Sequence, residues 1–112
     1  MNYDEQYETM RKFRFAMIDS DQAMPEYIMM DFNIHSYQLS GDSDGIENGF
    51  YMLTPCTIPV GIFGNWKEGT RVDWCAVSIK KIPVEYLGAY RRTWLLTDAM
   101  YKSAKAKRAE MK

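Results

Sequence analysis

Residues 61–74, GIFGNWKEGTRVDW, decide the fold of this chain. Two short apolar and aromatic runs flank KEG, a tripeptide typical of a tight turn. The second run extends into TRVDWCAVSI, where Val72, Trp74 and Ala76 alternate with residues of the opposite face. We therefore predict a β-hairpin that continues strands on both sides of the turn, with Trp74 in the core.

Two further strands are predicted upstream of this hairpin. NIHSYQLS (33–40) alternates, and FYMLTP (50–55) follows a loop rich in turn formers, GDSDGIENG (41–49). The strand TIPVGIF contains Pro59, which cannot donate a hydrogen bond to a neighbouring strand, so an edge or a bulge is expected there. MPEYIMMDFN, just before the first strand, fits a helical turn or a strand equally well.

Helices are predicted at both ends of the chain. Residues 5–18 place apolar side chains at helical spacing, and Pro83 suits the first position of a long second helix. The fold class is therefore α+β: a small curved antiparallel sheet of about four strands, an N-terminal helix and a long C-terminal helix.

One domain, residues 1–112, is expected. It divides into a globular body (1–100) and a basic helical extension (101–112), because the sequence after Tyr101 lacks large apolar residues but keeps high helix propensity. A helix of about 28 residues would be about 42 Å long. We expect its basic end to project from the body.

The composition is that of an ordinary soluble domain, with 46% hydrophobic and 26% charged residues. No run approaches the roughly 20 apolar residues that a membrane span requires. The start, MNYDEQYE, is too acidic for a secretory signal, so a cytoplasmic location without membrane contact is expected. Cys56 and Cys75 are then expected to be reduced thiols rather than a disulfide.

Enzymatic and metal-binding motifs are missing from the sequence. It contains no Walker phosphate loop and no Cys/His cluster for zinc. His35 could act as a base, but no spacing links it to a nucleophile, and Asp42 and Asp44 lack the further ligands of a calcium loop. We predict no enzymatic activity, no metal and no cofactor.

Charge is distributed unevenly along the chain. Residues 1–50 contain ten acids and three bases, a balance of −7, whereas residues 51–112 contain five acids and eleven bases, a balance of +6. Such asymmetry is typical of an anionic partner for one half or of a charged contact between protomers. An unevenly charged solvated surface explains it equally well.

The aromatic and basic hairpin is the candidate binding surface. Bases can stack on exposed aromatic rings while nearby cations contact phosphates. The predicted nucleic-acid-binding residues are Phe63, Asn65, Trp66, Lys67, Arg71, Lys80, Lys81, Arg91, Arg92 and Lys102. Lys105, Lys107 and Arg108 of the basic tail extend the set. Whether Trp66 is presented to solvent or buried stays open, and the account requires its ring to face water.

Methionine is abundant, at nine residues. Met24, Met29 and Met30 form a group that would suit a homodimer or partner contact, because methionine adapts to irregular apolar surfaces. Core filling is the more ordinary explanation.

The segment NGFYMLTPCTIPVGIFGNWKEGTRVDWC resembles part of the N-terminal accessory region of plasmid- and phage-type Toprim primase/helicase proteins. Those proteins carry an HRF-like strand, an NGWY segment, a PAGxFGNWKTG segment and a closing TW. The matching pieces here are His35–Tyr37, Asn48–Tyr51, Pro59–Gly61, Phe63–Lys67 with Gly69, and Asp73–Trp74. The resemblance covers about residues 34–108.

This resemblance implies an accessory module of DNA replication on a phage or plasmid. It does not imply priming, because Toprim and helicase motifs are missing from the sequence. The sequence therefore predicts a non-enzymatic nucleic-acid-binding domain, with single-stranded DNA favoured.

Two departures from the family support an alternative. Ser36 stands where the family has Arg, and the basic loop is acidic here, with Asp42, Asp44 and Glu47. Under this alternative, a small phage-encoded protein uses these three carboxylates to bind and modulate a host replication or defence protein, even as a nucleic-acid mimic.

Overall fold

Four short segments rich in apolar and aromatic residues build a single antiparallel sheet, whose two central strands are buried along almost their whole length. In the computed structural model, which describes residues 2–110, the strands pair in chain order. They are β1 (His35–Tyr37), β2 (Gly49–Leu53), β3 (Val60–Asn65) and β4 (Thr70–Cys75). All three pairings are antiparallel, and the predicted hairpin is β3–β4, with Asn65 opposite Thr70.

Helix α1 (Tyr3–Asp19) covers one face of the sheet. The Asn2 side chain caps the helix by accepting a hydrogen bond from the Glu5 backbone N–H at 2.8 Å. The negative charges of Asp4 and Glu5 in the first turn interact favourably with the positive end of the helix dipole. The Phe13 ring contacts the rings of Phe63 and Trp74, with centroids 5.7 and 5.3 Å away.

Helix α2 (Leu87–Glu110) lies on the opposite face. Phe50, Met52 and Ile62 point to this side and are fully buried, with Trp94 of α2 packed against them. Two 3₁₀ turns, Ile79–Lys81 and Val84–Tyr86, lead into α2. The α+β class, the N-terminal helix, the four strands and the long C-terminal helix are confirmed.

Several local predictions differ from the structure. Pro59 directly precedes β3, an interior strand with continuous pairing on both sides, so it marks neither an edge nor a bulge. The fourth strand was predicted through residue 79 but ends at Cys75, after which the chain bends into the first 3₁₀ turn. Residues 24–33 form neither a helical turn nor a strand beyond one isolated bridge, between Met30 and Leu53. Met24 and Met29 are exposed and Met30 is half-buried, so this group is only partly core.

The basic end of α2 does not project from the body. The Arg108 guanidinium donates hydrogen bonds to the Glu47 carbonyl at 3.0 Å and to Asn48 Oδ1 at 3.2 Å. Residues 101–110 are helical, as expected, but Tyr101 and Arg108 contact the body. The boundary at residue 100 stays a prediction, and residues 111 and 112 lie outside the described part. No helix within residues 2–110 combines the length and hydrophobicity needed to cross a bilayer.

Candidate nucleic-acid interface

The β3–β4 turn fixes the position of Trp66 and Lys67. The Asn65 side chain accepts hydrogen bonds from the backbone N–H groups of Lys67 and Glu68, at 2.8 and 3.2 Å, and thereby closes the turn. The backbone N–H of Trp66 donates a hydrogen bond to the Asn48 carbonyl at 2.7 Å. Asn65 therefore stabilises the turn, and its side-chain oxygen accepts these two hydrogen bonds rather than one from a ligand.

The last turns of α2 bring a second set of side chains to this end of the sheet. Tyr101, Lys105 and Arg108 are four and three residues apart, so they share one helical face. That face continues the sheet-facing stripe of Trp94 and Thr97. The basic end of α2 therefore faces the sheet with the same side of the helix as its apolar part.

Trp66 is half-buried in an aromatic stack. Its ring lies 4.1 Å from the Phe50 centroid and 5.6 Å from that of Tyr101, at interplanar angles of 27° and 15°. The Arg108 guanidinium lies over the indole, 5.4 Å from its centroid, and the indole Nε1–H donates to Ser36 Oγ at 3.2 Å. Three groups therefore pack on this ring, and the part of it that stays accessible lines the cleft described next.

A cleft of about 280 Å³ lies between the turn and α2, and we call it the hairpin cleft. It is lined by Asn48, Trp66, Lys67, Gly69, Tyr101, Lys105, Arg108 and Ala109. Three of these side chains are cationic, and none of the described lining residues carries a carboxylate. The cleft therefore offers positive charge and two aromatic rings to a ligand.

Arg71 stands behind this cleft rather than in it. Its guanidinium donates to Asp98 at 2.6 Å and to Asp73 at 2.7 Å, and lies 4.8 Å from the Tyr101 centroid. Burial lowers the pKa of Arg71, but the hydrogen bonds to the two carboxylates outweigh it, and the net shift is upward. Since its charge is already compensated, Arg71 supports the Tyr101 ring and is not the phosphate contact that we predicted.

The other predicted residues are scattered. Phe63 is fully buried on the α1 face of the sheet, so it cannot stack on a base. Lys80 and Lys81 are exposed but follow the end of β4 that is remote from the turn. Arg91 and Arg92 precede Tyr101 by nine or ten residues, about 14 Å along the helix. Of the ten predicted residues, Trp66 and Lys67 line the hairpin cleft.

Lys102 is exposed on α2 but does not line the cleft. The neighbouring face of the helix carries the lining residues Tyr101, Lys105 and Arg108 instead. Lys105 and Arg108 were assigned to a projecting tail, and Tyr101 was missed as a platform. The helical spacing of residues 94, 97 or 98, 101, 105 and 108 indicates that all of them share the sheet-facing side of α2. The last two residues are charged, so a search for apolar periodicity does not include them.

The acidic loop is partly committed to its own structure. The Asp42 carboxylate accepts hydrogen bonds from Leu39 N–H at 2.8 Å and from Asn48 N–H and Nδ2 at 3.1 and 2.7 Å. These bonds, that of Leu39 first, lower the pKa of Asp42. Asp44 and Glu47 are exposed. Two of the three predicted protein-binding carboxylates are therefore accessible, and the third organises the loop.

The lone histidine has a partner that the sequence did not predict. His35 Nε2 lies 2.8 Å from Asp31 Oδ1, and its ring stacks on Tyr51 with centroids 5.1 Å apart. Cys56 and Cys75 are both free thiols, and burial raises the pKa of Cys75. Within residues 2–110, no three His, Cys, Asp or Glu side chains are placed to share a metal ion.

Comparisons with protein-family models, with curated proteins and with solved structures found no match to this chain. The similarity of the FGNWK segment to Toprim-type primases therefore stays a prediction. The case for a function depends on the residues of the hairpin cleft.

Proposed function

We propose that this protein is a non-enzymatic module that binds single-stranded nucleic acid, with DNA favoured, through the hairpin cleft. The observation that carries the proposal is the convergence of Lys67, Lys105 and Arg108 on the rings of Trp66 and Tyr101. Cations beside aromatic rings are the combination that single-strand-binding surfaces use.

The three cations would contact the phosphate backbone. Lys67 and Lys105 are exposed, and none of the described lining residues carries a carboxylate. The charge of Asp42, just outside the cleft, attracts Lys67. Neutralising about three phosphates of a single strand gives a slope of about −2 for log affinity against log salt. Binding should therefore weaken roughly twentyfold between about 50 and 200 mM salt.

The aromatic rings would contact a base. The planar Arg108 guanidinium lies over the Trp66 indole, in the position that a stacked base would take. A base that displaces the guanidinium gains the indole surface, worth about 1–3 kcal/mol, and frees Arg108 for a phosphate. Trp66 and Tyr101 hold each other in place, so the platform is preformed.

The size of the cleft favours a single strand. Its volume of about 280 Å³ lies just below the range of about 300–1,000 Å³ typical of small-molecule pockets. Such a cleft receives one unpaired nucleotide but not a duplex, whose bases are already stacked and paired. Since the primase resemblance implies a role in phage or plasmid replication, where single strands are exposed, we propose that setting for the module.

Fluorescence anisotropy tests this function directly. Labelled single-stranded DNA, the matching duplex and single-stranded RNA are titrated with protein at about 50 and 200 mM salt. We expect single-stranded DNA to bind more tightly than the duplex, with the salt dependence given above. No binding to any of the three polymers, or equal affinity for strand and duplex, would refute the proposal.

A further inference from the structure

The Arg108 guanidinium occupies the hairpin cleft as a flat group with hydrogen-bond donors on one edge. It lies over the Trp66 ring, 5.4 Å from the ring centroid. One terminal nitrogen donates to the backbone carbonyl of Glu47 at 3.0 Å, and the other donates to Asn48 Oδ1 at 3.2 Å. The cleft therefore combines an aromatic surface with two neighbouring acceptors.

The Asn48 side chain is held in the orientation that presents an acceptor to the cleft. Its Nδ2 donates to Asp42 at 2.7 Å. A carboxylate only accepts hydrogen bonds, so the NH₂ group of Asn48 faces Asp42 and Oδ1 is left for Arg108. The Asn48 backbone is fixed as well, because its N–H donates to Asp42 at 3.1 Å and its carbonyl accepts from the Trp66 N–H at 2.7 Å. The acceptor is therefore preorganised beside the indole.

The two acceptors need new donors once a base is bound. In the proposed function Arg108 moves to a phosphate, which frees the Glu47 carbonyl and Asn48 Oδ1. A base stacked on the Trp66 indole limits the access of water to both oxygens. An acceptor deprived of both its partner and water costs free energy, so a base that supplies two donors is favoured.

Guanine is the DNA base whose pairing edge reproduces the donors of a guanidinium. Its N1–H and its N2 amino group are bonded to one carbon, as the two terminal nitrogens of arginine are bonded to Cζ, so the donors of each group are equally spaced. On the same edge adenine and cytosine each present a donor beside an acceptor, and thymine presents a donor between two acceptors. Arg108 is thus an internal mimic of guanine.

We propose that the hairpin cleft prefers an unpaired guanine, which stacks on Trp66 and donates hydrogen bonds to the Glu47 carbonyl and Asn48 Oδ1 in place of Arg108. This inference rests on the proposed function, since it names the base that the same cleft takes. In a duplex both donors are paired with cytosine, so paired guanine is excluded. Thymine also stacks on the indole, but it binds more weakly because it supplies one donor to the two acceptors.

Strands with a single variable base test the preference. A thymidine strand of about five nucleotides carries guanine, adenine, hypoxanthine or 7-deazaguanine at its centre, and anisotropy gives its affinity for the unaltered protein. One guanine per strand avoids the self-association of guanine runs. We expect the guanine strand to bind at least about tenfold more tightly than the adenine strand.

The two modified bases identify the edge that is read. Hypoxanthine lacks the N2 amino group of guanine and keeps N1–H, so its strand should bind about fivefold more weakly than the guanine strand. 7-Deazaguanine keeps both donors and lacks N7, the acceptor that an arginine or lysine would contact on the other edge of the base. Its strand should bind as tightly as the guanine strand.

A pair of variants tests the role of Asn48. Asn48→Ala removes one acceptor and should reduce the preference for guanine over adenine about fivefold. Lys67→Gln is the matched control, because it should weaken binding of all four strands equally and keep the preference. Thermal unfolding of both variants checks that they are folded, and the series of bases on the unaltered protein does not depend on them.

The possible failures separate this inference from the function on which it rests. Absence of binding by every strand would overturn both. Equal affinity for the guanine and adenine strands would overturn the preference and leave single-strand binding in the cleft standing. A loss with 7-deazaguanine but none with hypoxanthine, or a folded Asn48→Ala variant with the full preference, would overturn the assignment of the base donors to these acceptors.

Discussion

Trp66 has both a structural and a proposed binding role at the scale of the single residue. Its ring packs on Phe50 and Tyr101, and its Nε1–H bonds to Ser36. The same indole supplies the surface on which a base would stack once the Arg108 guanidinium moves away. Substitution of this residue must therefore be judged by two measurements, affinity and stability.

Replacing Trp66 with alanine should weaken binding of a short single-stranded DNA by at least about fivefold. It should also lower the free energy of unfolding by about 2 kcal/mol, since the ring is half-buried against Phe50. Anisotropy and chemical denaturation measure the two effects. Trp94→Ala is the control, because Trp94 packs on the same face without lining the cleft, so it should lose stability and keep affinity. Equal losses of affinity in both variants would assign the effect to folding.

Lys67 and Lys80 form a matched pair for testing the phosphate contact. Both are exposed lysines, but only Lys67 lines the hairpin cleft. Lys67→Gln should reduce the slope of log affinity against log salt by about 0.7, the contribution of one phosphate of a single strand. Lys80→Gln should leave the slope unchanged. The same reduction in both variants would indicate diffuse attraction to the basic half of the chain rather than contact in the cleft.

At the scale of the element, β3 depends on glycines that let aromatic rings approach the strand. A methyl group on Gly61 would lie 2.6 Å from a Phe13 ring carbon and 2.8 Å from the Met52 carbonyl oxygen. One on Gly64 would collide with the Thr70 carbonyl and lie 2.8 Å from the Phe50 ring. The two glycines thus admit α1 on one face and the aromatic stack of the cleft on the other.

Gly61→Ala should lower the free energy of unfolding by about 1–3 kcal/mol, because Phe13 and the strand would have to shift. Gly88→Ala should have the opposite sign. Gly88 lies in the first turn of α2, where an added methyl meets only the flexible end of Arg92 at 3.4 Å, and alanine favours the helix by about 0.5–1 kcal/mol. Urea unfolding of the two variants measures both changes. A neutral Gly61→Ala would contradict the packing of α1 on β3.

The 41–49 loop should show a pH dependence through Asp42. Hydrogen bonds lower the pKa of Asp42 in the folded state, so its stabilising effect is present above the ordinary carboxyl pKa of about 3.9. The effect is lost as the pH falls through the lower folded-state value. Asp42→Asn should therefore lower the thermal midpoint at pH 7 and change it little near pH 2.

Asp44→Asn provides the comparison for this loop, because Asp44 is an exposed residue of the same segment. Its thermal midpoint should match that of the unchanged protein at both pH values. If Asp44→Asn destabilised the protein as much as Asp42→Asn at pH 7, general charge repulsion in the loop would be the cause, and the assignment to the Asp42 hydrogen bonds would be wrong.

At the scale of the whole molecule, the sheet separates two surfaces with different properties. Helix α1 lies on one side and carries four acidic and three basic residues. Helix α2 and the hairpin cleft lie on the other, and the acidic 41–49 loop borders the cleft through the hydrogen bonds of Arg108 to Glu47 and Asn48. The uneven charge along the sequence therefore does not correspond to two separate faces of the fold. The last turn of α2 places its negative dipole end near the cleft, and Lys107 and Arg108 offset it.

Much of this arrangement was predictable from the sequence. The alternation of His35 and Tyr37 against Ser36 correctly assigned β1, and the KEG turn located the hairpin. Propensity predicted the helical end of α2 but not its contact with the body, because Arg108 docks through a long side chain over the Trp66 ring. An analysis of apolar periodicity assigns a charged residue such as Arg108 to the solvent-exposed face of a helix. The ion pairs of Arg71 were not predicted either. Asp98 is 27 residues away in the sequence, and Asp73 lies two residues away on the same face of β4.

The central claim, that single-stranded nucleic acid binds in the hairpin cleft, is tested most directly by NMR of the three tryptophan indole N–H groups. Trp66 borders the cleft, Trp94 packs on the same face of the sheet and Trp74 packs against Phe13 on the other. Addition of a short oligothymidine should shift the Trp66 indole and the amides of Lys67, Tyr101 and Arg108, and leave Trp74 in place. Shifts confined to α1 or to residues 79–86, or no shifts at saturating oligonucleotide, would contradict the claim.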